Sequence, residues 1–181
     1  MKNKHIIRPA IVTALFLMVP LVAMRFYPND VLWTLSDFIF AGVLIFGVGL
    51  AYELMSKRTG TAAYRCAVGV MLAATFILIW MNLAVGIIGN ENNPANLMYF
   101  GVVGIGVIGI TLAQLKPLGM SRALFVTAVA QALVPVIALV VNRPSLDDTP
   151  GIAGVFALNT FFVVMYVVAG ILFRQATVKP V

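Results

Sequence analysis

Long uncharged apolar segments recur along this sequence and limit what it can fold into. Six such runs, separated by short polar segments, occur within 181 residues. Each approaches the length of about 20 residues that an α-helix needs to cross about 30 Å of hydrocarbon. Hydrophobic residues make up 62% of the chain and charged residues 10%, which is more apolar surface than a soluble domain of this size buries. Transmembrane β-strands would instead alternate apolar and polar residues. We therefore predict an all-α, polytopic membrane helix bundle.

The polar breaks divide the chain into six predicted transmembrane helices of a single domain. The predicted spans are residues 9–26, 31–55, 64–88, 97–115, 123–141 and 151–173. The first apolar run is short enough to be a signal peptide, but no A-x-A-like cleavage site follows it. We therefore predict that this run is retained as the first helix. Six spans place both termini on the same side of the membrane.

The basic residues are distributed unevenly between the two sides of this topology. Ten of the twelve lie on the side of the termini: Lys2, Lys4, Arg8, Lys57, Arg58, Arg65, Lys116, Arg122, Arg174 and Lys179. Five of the six acidic residues fall towards the opposite side: Asp30, Asp37, Glu91, Asp147 and Asp148. The positive-inside rule then predicts cytoplasmic termini. The net charge of +6 reflects this topology, and we do not expect nucleic-acid binding.

Polar residues inside the apolar spans are the main candidates for function, because each is costly in hydrocarbon unless it is paired. Asp37 lies about six residues inside the predicted second span, Asn82 a similar distance inside the third, and Asn159 deeper in the sixth. If their helix faces point inward, these side chains converge in the outer half of the bundle with the Glu91 loop, the polar segment between the third and fourth predicted spans. Two interpretations remain open: a polar pocket for a ligand or cation, or hydrogen bonds that fix helix packing.

Glycines in the predicted fourth span indicate a close contact between helices. The segment GIGVIG, residues 104–109, matches the dinucleotide-binding pattern G-x-G-x-x-G, but it lies inside an apolar run with no preceding strand. Small residues in membranes instead allow a neighbouring helix to approach closely. The four glycines that we predict to form this lateral contact are Gly101, Gly104, Gly106 and Gly109.

Few residues in the sequence are suited to catalysis or to binding a cofactor. His5 is the only histidine and Cys66 the only cysteine. The chain therefore lacks paired axial ligands for haem, a His and Cys cluster for a metal ion, and a Ser, His and Asp set for nucleophilic catalysis. We predict that the protein is not an enzyme and has no cofactor.

The polar segment between the third and fourth predicted spans is the most distinctive part of the chain. Pro94 stiffens it, and Asn93 or Asn96 is placed to cap the fourth helix. A simple turn and a docking loop are both compatible with this pattern, since the segment has more polar groups than a turn needs.

The stretch NLAVGIIGNENNPANLMYFGV, with ALFVTAVAQALV and VFALNTFFVVMYV after it, resembles a family of small, uncharacterised integral membrane proteins of Gram-negative bacteria. Its most specific piece is E-x-N-P-A-N-L-M-Y, Glu91 to Tyr99. The resemblance implies only a location in the bacterial cytoplasmic (inner) membrane and the number of helices.

These observations favour a protein that acts by association. No carboxylate, His, Lys or Arg falls near the middle of any predicted span, whereas ion-coupled transporters usually carry an ionisable group there. We predict an accessory or interaction protein that binds another membrane protein or itself, with the fourth helix as the contact and the Glu91 loop facing the periplasm. The alternative is a small-solute or ion transporter or channel that uses the outer polar pocket.

Overall fold

The chain is built from long apolar helices. A computed structural model describes residues 4–58, 61–141 and 150–177. In these ranges the six α-helices are α1 (Lys4–Phe26), α2 (Leu35–Met55), α3 (Ala62–Ala84), α4 (Leu97–Ala113), α5 (Pro117–Val141) and α6 (Gly151–Gln175), with a short 3₁₀ helix at Pro94–Asn96 before α4. All six segments are long and apolar enough to cross a membrane. The prediction of an all-α protein with six membrane-spanning helices is confirmed.

The helices form two compact units that divide after Lys57. The first unit is the N-terminal hairpin of α1 and α2, and the second is the four-helix bundle of α3 to α6. Within the four-helix bundle, α5 packs extensively on α4 and α6, and α6 packs on α3. Because α3 and α4 contact each other only sparsely, a cleft runs between these two helices.

Small residues of α2 allow α1 to approach within the N-terminal hairpin. A Cβ atom added to Gly49 would lie 3.1 Å from the Pro9 Cβ atom, and one added to Gly42 would lie 3.4 Å from Leu17. The close spacing therefore depends on the missing side chains. This is the usual role of small residues between membrane helices.

An ion-pair cluster lies at one end of the N-terminal hairpin, between the start of α1 and the end of α2. Glu53 accepts contacts from Arg8 at 3.6 Å, from Lys57 at 3.2 Å and from His5 at 3.7 Å. Lys57 and His5 also contact each other. Glu53 and Lys57 are close because they lie four residues apart, in the last turn of α2 and just after its end, whereas the contacts from α1 depend on packing of the hairpin.

The start of α2 differs from the prediction. The second helix begins at Leu35, four residues after the predicted start, because Thr34 and Asp37 form a capping box. The backbone N–H of Thr34 donates to Asp37 Oδ2 at 2.6 Å, and the backbone N–H of Asp37 donates to Thr34 Oγ1 at 3.4 Å. This pair satisfies two backbone donors at the helix start. Asp37 therefore lies in the first turn of α2, not about six residues inside it.

Two helix ends in the four-helix bundle also differ from the prediction. The third helix ends at Ala84 rather than residue 88, because Gly86 adopts a φ of 72° and turns the chain. A Cβ atom at Gly86 would overlap the Asn90 carbonyl group, so the turn requires glycine. The fifth helix begins at Pro117 rather than residue 123. Proline suits the first turn of a helix, and Arg122 is tolerated in the second turn because its side chain is exposed.

The remaining helix ends lie within two residues of their predicted positions, except the start of α1, which lies five residues earlier. The first helix extends back to Lys4, the fourth ends at Ala113 and the sixth ends at Gln175. Several charged residues used to orient the chain, Lys2, Arg143, Asp147, Asp148 and Lys179, fall outside the described residues. The orientation of the termini stays a prediction.

Candidate functional site

A buried asparagine on α6 joins three helices of the four-helix bundle. Asn159 is 2% exposed, and its amide nitrogen donates to the Tyr99 hydroxyl of α4 at 2.9 Å and to the Val155 carbonyl at 2.8 Å. Its amide oxygen accepts from Gln131 Nε2 of α5 at 2.8 Å. Both partners are themselves buried. The amide group of Asn159 therefore ties α4, α5 and α6 together in the core.

A second buried asparagine holds the segment between α3 and α4. The Asn96 side-chain oxygen accepts from the backbone N–H groups of Ile87 at 3.1 Å and Ile88 at 2.9 Å. Its side-chain nitrogen donates to the carbonyl groups of Ile88 at 3.2 Å and Asn90 at 2.7 Å. One side chain thus satisfies four backbone groups, and it fixes the path of the segment that leaves α3.

Asn82 connects the end of α3 to this segment. Its amide nitrogen donates to the backbone carbonyl of Asn96 at 3.2 Å, and the residue is 3% exposed. Since α3 ends at Ala84, Asn82 lies two residues from the helix end, nearer to it than predicted. The Asn82 side chain therefore joins a helix end to the following loop.

The loop itself uses most of its polar groups for its own shape. Asn93 Oδ1 accepts from the backbone N–H of Ala95 at 3.0 Å, which caps the 3₁₀ helix. Asn90 Oδ1 accepts from the backbone N–H of Asn92 at 3.0 Å. Glu91 is exposed, and its carboxylate accepts from the Asn92 side chain at 3.3 Å. These contacts favour a preformed turn that presents the Glu91 carboxylate to its surroundings.

The four residues of the predicted polar pocket have different surroundings. Asn82 and Asn159 lie in the core of the four-helix bundle, and Glu91 is exposed on the loop after α3. Asp37 belongs to the N-terminal hairpin, where it is exposed and caps α2. The sequence missed Tyr99 as a partner of Asn159. A T-x-x-D signature at Thr34–Asp37 was the available signal for the local role of Asp37.

Two buried amide oxygens accept no hydrogen bond from the described part of the chain. They are Asn82 Oδ1 and Gln131 Oε1. Gln131 is fully buried. Because a buried acceptor without a partner is costly, these two atoms are polar positions of the four-helix bundle whose hydrogen bonding is incomplete within the described residues.

The cleft between α3 and α4 contains a small cavity of about 100 Å³. Most of its lining is aliphatic, and three hydroxyl groups also border it, those of Thr75, Thr127 and Tyr166. Thr75 Oγ1 donates to the Met71 carbonyl at 3.0 Å and lies 3.3 Å from the Tyr166 hydroxyl. Thr127 Oγ1 donates to the carbonyl of Ala123 in the previous turn. The hydroxyl groups are thus engaged within the protein.

The four glycines of α4 face two different environments. A Cβ atom on Gly109 would lie 2.8 Å from the Ala123 Cβ atom, and one on Gly106 would lie 3.5 Å from Thr127 Oγ1. These two glycines therefore let α4 approach α5. A Cβ atom on Gly101 or Gly104 would meet no atom of the described residues within 4 Å. The predicted glycine contact is thus divided between an internal helix pair and an open surface.

Among the described residues, no group of three or more His, Cys, Asp and Glu side chains is arranged to hold a metal ion. No protein-family model matches the chain, and no curated protein or solved structure shows significant similarity to it. The resemblance to small Gram-negative membrane proteins stays a prediction.

Proposed function

We propose that this multi-pass membrane protein is a non-enzymatic accessory protein that associates laterally with another membrane protein or with a second copy of itself. In the proposed topology, both termini are cytoplasmic and the membrane is the bacterial inner membrane. The contact is assigned to one side of α4, called here the α4 outer face. This face consists of Gly101, Gly104, Ile105, Ile108 and Leu112.

The observation that carries this proposal is the open position of Gly101 and Gly104. A glycine inside a helix is less favourable than alanine by about 0.5–1 kcal/mol, and neither glycine is needed for packing within the four-helix bundle. Ile108 is 61% exposed and Leu112 is 79% exposed on the same side of α4. A second helix that approached over the two glycines would contact both large side chains, as in other small-residue interfaces.

An apolar groove beside the α4 outer face supports the same assignment. The groove lies between α4 and α5, has a volume of about 440 Å³, and is bordered by Ile105, Ile108 and Leu112 from the α4 outer face. Its α5 side includes Ala123, Val126 and one cation, Arg122. In the proposed complex, side chains of the partner helix fill this groove.

The hydrogen bonds of the buried asparagines are a further argument for this proposal. Asn82, Asn96 and Asn159 each bond to other parts of the four-helix bundle. The bonds of Asn159 join different helices, and bonds of this kind contribute about 0.6–2 kcal/mol each. This arrangement favours the packing interpretation of these residues over the pocket interpretation.

The test is purification from native membranes in a gentle detergent, followed by mass spectrometry of the co-purifying proteins. We expect a stoichiometric partner or a homo-oligomer. Gly104→Leu should remove it, because the leucine side chain occupies the space of the approaching helix. Ala157→Leu, at an exposed position of α6, adds bulk to another surface and should leave recovery unchanged. Equal recovery with both variants, each folded, would contradict the assignment of the contact.

A transporter or channel is the second candidate, supported by the two buried amide oxygens of Asn82 and Gln131 that lack a described partner. In proteoliposomes this function predicts flux of protons or potassium ions that Gln131→Leu abolishes and Gly104→Leu leaves unchanged. Absence of flux in protein that retains its native oligomeric state would argue against it.

A further inference from the structure

The connection between α4 and α5 borders a basic cavity. The cavity has a volume of about 720 Å³. Its lining includes two cationic residues, Arg58 and Lys116, the amide of Gln114, and the apolar side chains of Ile110 and Leu115. It thus combines positive charge with an apolar wall.

The local backbone fixes the position of this cavity. Gln114 and Leu115 adopt φ angles of 49° and 60°, a left-handed conformation that residues with side chains rarely adopt. The hydroxyl group of Tyr64 donates to the Leu115 carbonyl at 2.9 Å. Tyr64 is itself fully buried, and its ring packs edge-on against Phe173 at a centroid distance of 5.0 Å. A buried anchor on α3 therefore holds the turn that places Lys116 beside the cavity.

Three sources make the cavity electrostatically positive. Arg58 and Lys116 are exposed, and neither forms an ion pair with a carboxylate of the described residues. The fifth helix begins at Pro117, which also lines the cavity, so the positive end of its dipole adds to the two charges. The chain supplies no described counter-ion for this concentration of charge.

The position of the cavity along the helices indicates which anion fits it. The cavity lies where α4 ends and α5 begins, and the ends of membrane-spanning helices lie at the level of the lipid headgroups. Basic pockets between membrane helices bind anionic headgroups. Ile110 and Leu115 supply an apolar wall that a soluble anion would not need.

We propose that this cavity binds one anionic phospholipid. Arg58 and Lys116 contact the phosphate group, and Ile110 and Leu115 contact the first carbons of an acyl chain. This site is separate from the α4 outer face, so it does not depend on the proposed function.

The experiment is a lipid titration of the full-length, delipidated protein in detergent, followed by native mass spectrometry. Phosphatidylglycerol is compared with phosphatidylcholine of the same acyl chains and with inorganic phosphate. We expect a saturable one-to-one complex with phosphatidylglycerol alone. Lys116→Gln and Arg58→Gln should each weaken it about fivefold, the effect of one basic residue near an anionic membrane surface.

Arg174→Gln is the matched control, because Arg174 is an exposed cation near the end of α6 and does not line the cavity. This variant should bind phosphatidylglycerol as the unmodified protein does. Equal weakening by Arg174→Gln would overturn the site in favour of a general charge effect. Equal binding of phosphatidylcholine would overturn the role of the two cations, and equal binding of inorganic phosphate would assign the cavity to a soluble anion.

Discussion

Removal of the Asn96 side chain should release the segment that connects α3 to α4. In Asn96→Ala, the backbone N–H groups of Ile87 and Ile88 and the Ile88 carbonyl lose their side-chain partner. Both isoleucines are fully buried, so water does not readily replace the lost bonds. The Asn90 carbonyl also loses a bond, but Asn90 is exposed and can be hydrated.

The expected magnitude follows from the three buried backbone groups. Leaving a buried donor or acceptor without a partner costs about 1–3 kcal/mol. We take the lower limit for each group. The free energy of unfolding should then fall by about 3 kcal/mol, a change of roughly a hundredfold in the folding equilibrium.

Two measurements check this prediction. Unfolding in mixed micelles with an increasing fraction of SDS, followed by tryptophan fluorescence, gives the change in stability. Hydrogen–deuterium exchange of a peptide containing Ile87 and Ile88 reports the two amides directly, and their exchange should accelerate strongly. The matched control is Asn92→Ala, because the Asn92 side chain is exposed and, among the described residues, bonds only to Glu91. Its stability should stay within about 0.5 kcal/mol of the unmodified protein.

If the amides of Ile87 and Ile88 exchange as slowly in Asn96→Ala as in the unmodified protein, the proposed role of Asn96 is refuted. The same result together with an unchanged stability would mean that the loop holds its shape without this side chain. An equal effect of Asn92→Ala would show that any change in the loop is sufficient.

Three further predictions address the core, the helix contacts and the topology. Asn159→Leu removes three hydrogen bonds and should lower the free energy of unfolding by about 2 kcal/mol. The control Thr160→Val, at an exposed neighbouring position, should change the free energy of unfolding little. Equal losses in the same micelle assay would contradict this prediction. Gly109→Ala should destabilise the protein by about 1–3 kcal/mol through overpacking against α5, while Gly101→Ala should be neutral or stabilising; a loss at Gly101 alone would reverse this assignment. Glu91→Cys in a cysteine-free background should react with a membrane-impermeant maleimide added to intact cells whose outer membrane has been permeabilised, and labelling only after lysis would place the loop in the cytoplasm.

The hydropathy pattern predicts the number of helices well but not all of their ends. The apolar run stops at Arg122, whereas α5 extends back through Arg122 to Pro117, because an exposed charge in the second turn is compatible with helix geometry. The opposite error occurs at α3, where Ile87 and Ile88 extend the apolar run but lie after the turn at Gly86. These residues are buried without being helical, a distinction that apolar composition alone does not make.

The candidate polar residues show a similar division. Asn82 and Asn159 were identified from sequence because amides in apolar runs are costly without partners. Their partners were not, since Tyr99 and Gln131 lie on other helices, 60 and 28 residues from Asn159. For Asp37 the information was local: the capping box with Thr34 gives its carboxylate a role within four residues of sequence.

The sequence by itself determined that this protein forms six helices long and apolar enough to span a membrane, because a run of about 20 apolar residues must satisfy its own backbone hydrogen bonds in hydrocarbon. The start of α2 and the turn at Gly86 also depend on local sequence, although hydropathy alone placed both helix ends wrongly. Only the tertiary structure decided which glycines of α4 pack against α5, which amides meet in the core, and that Arg58 and Lys116 border one cavity. These features depend on how helices distant in sequence rotate and pack against one another, and the periodicity of a single apolar helix carries little information about that rotation.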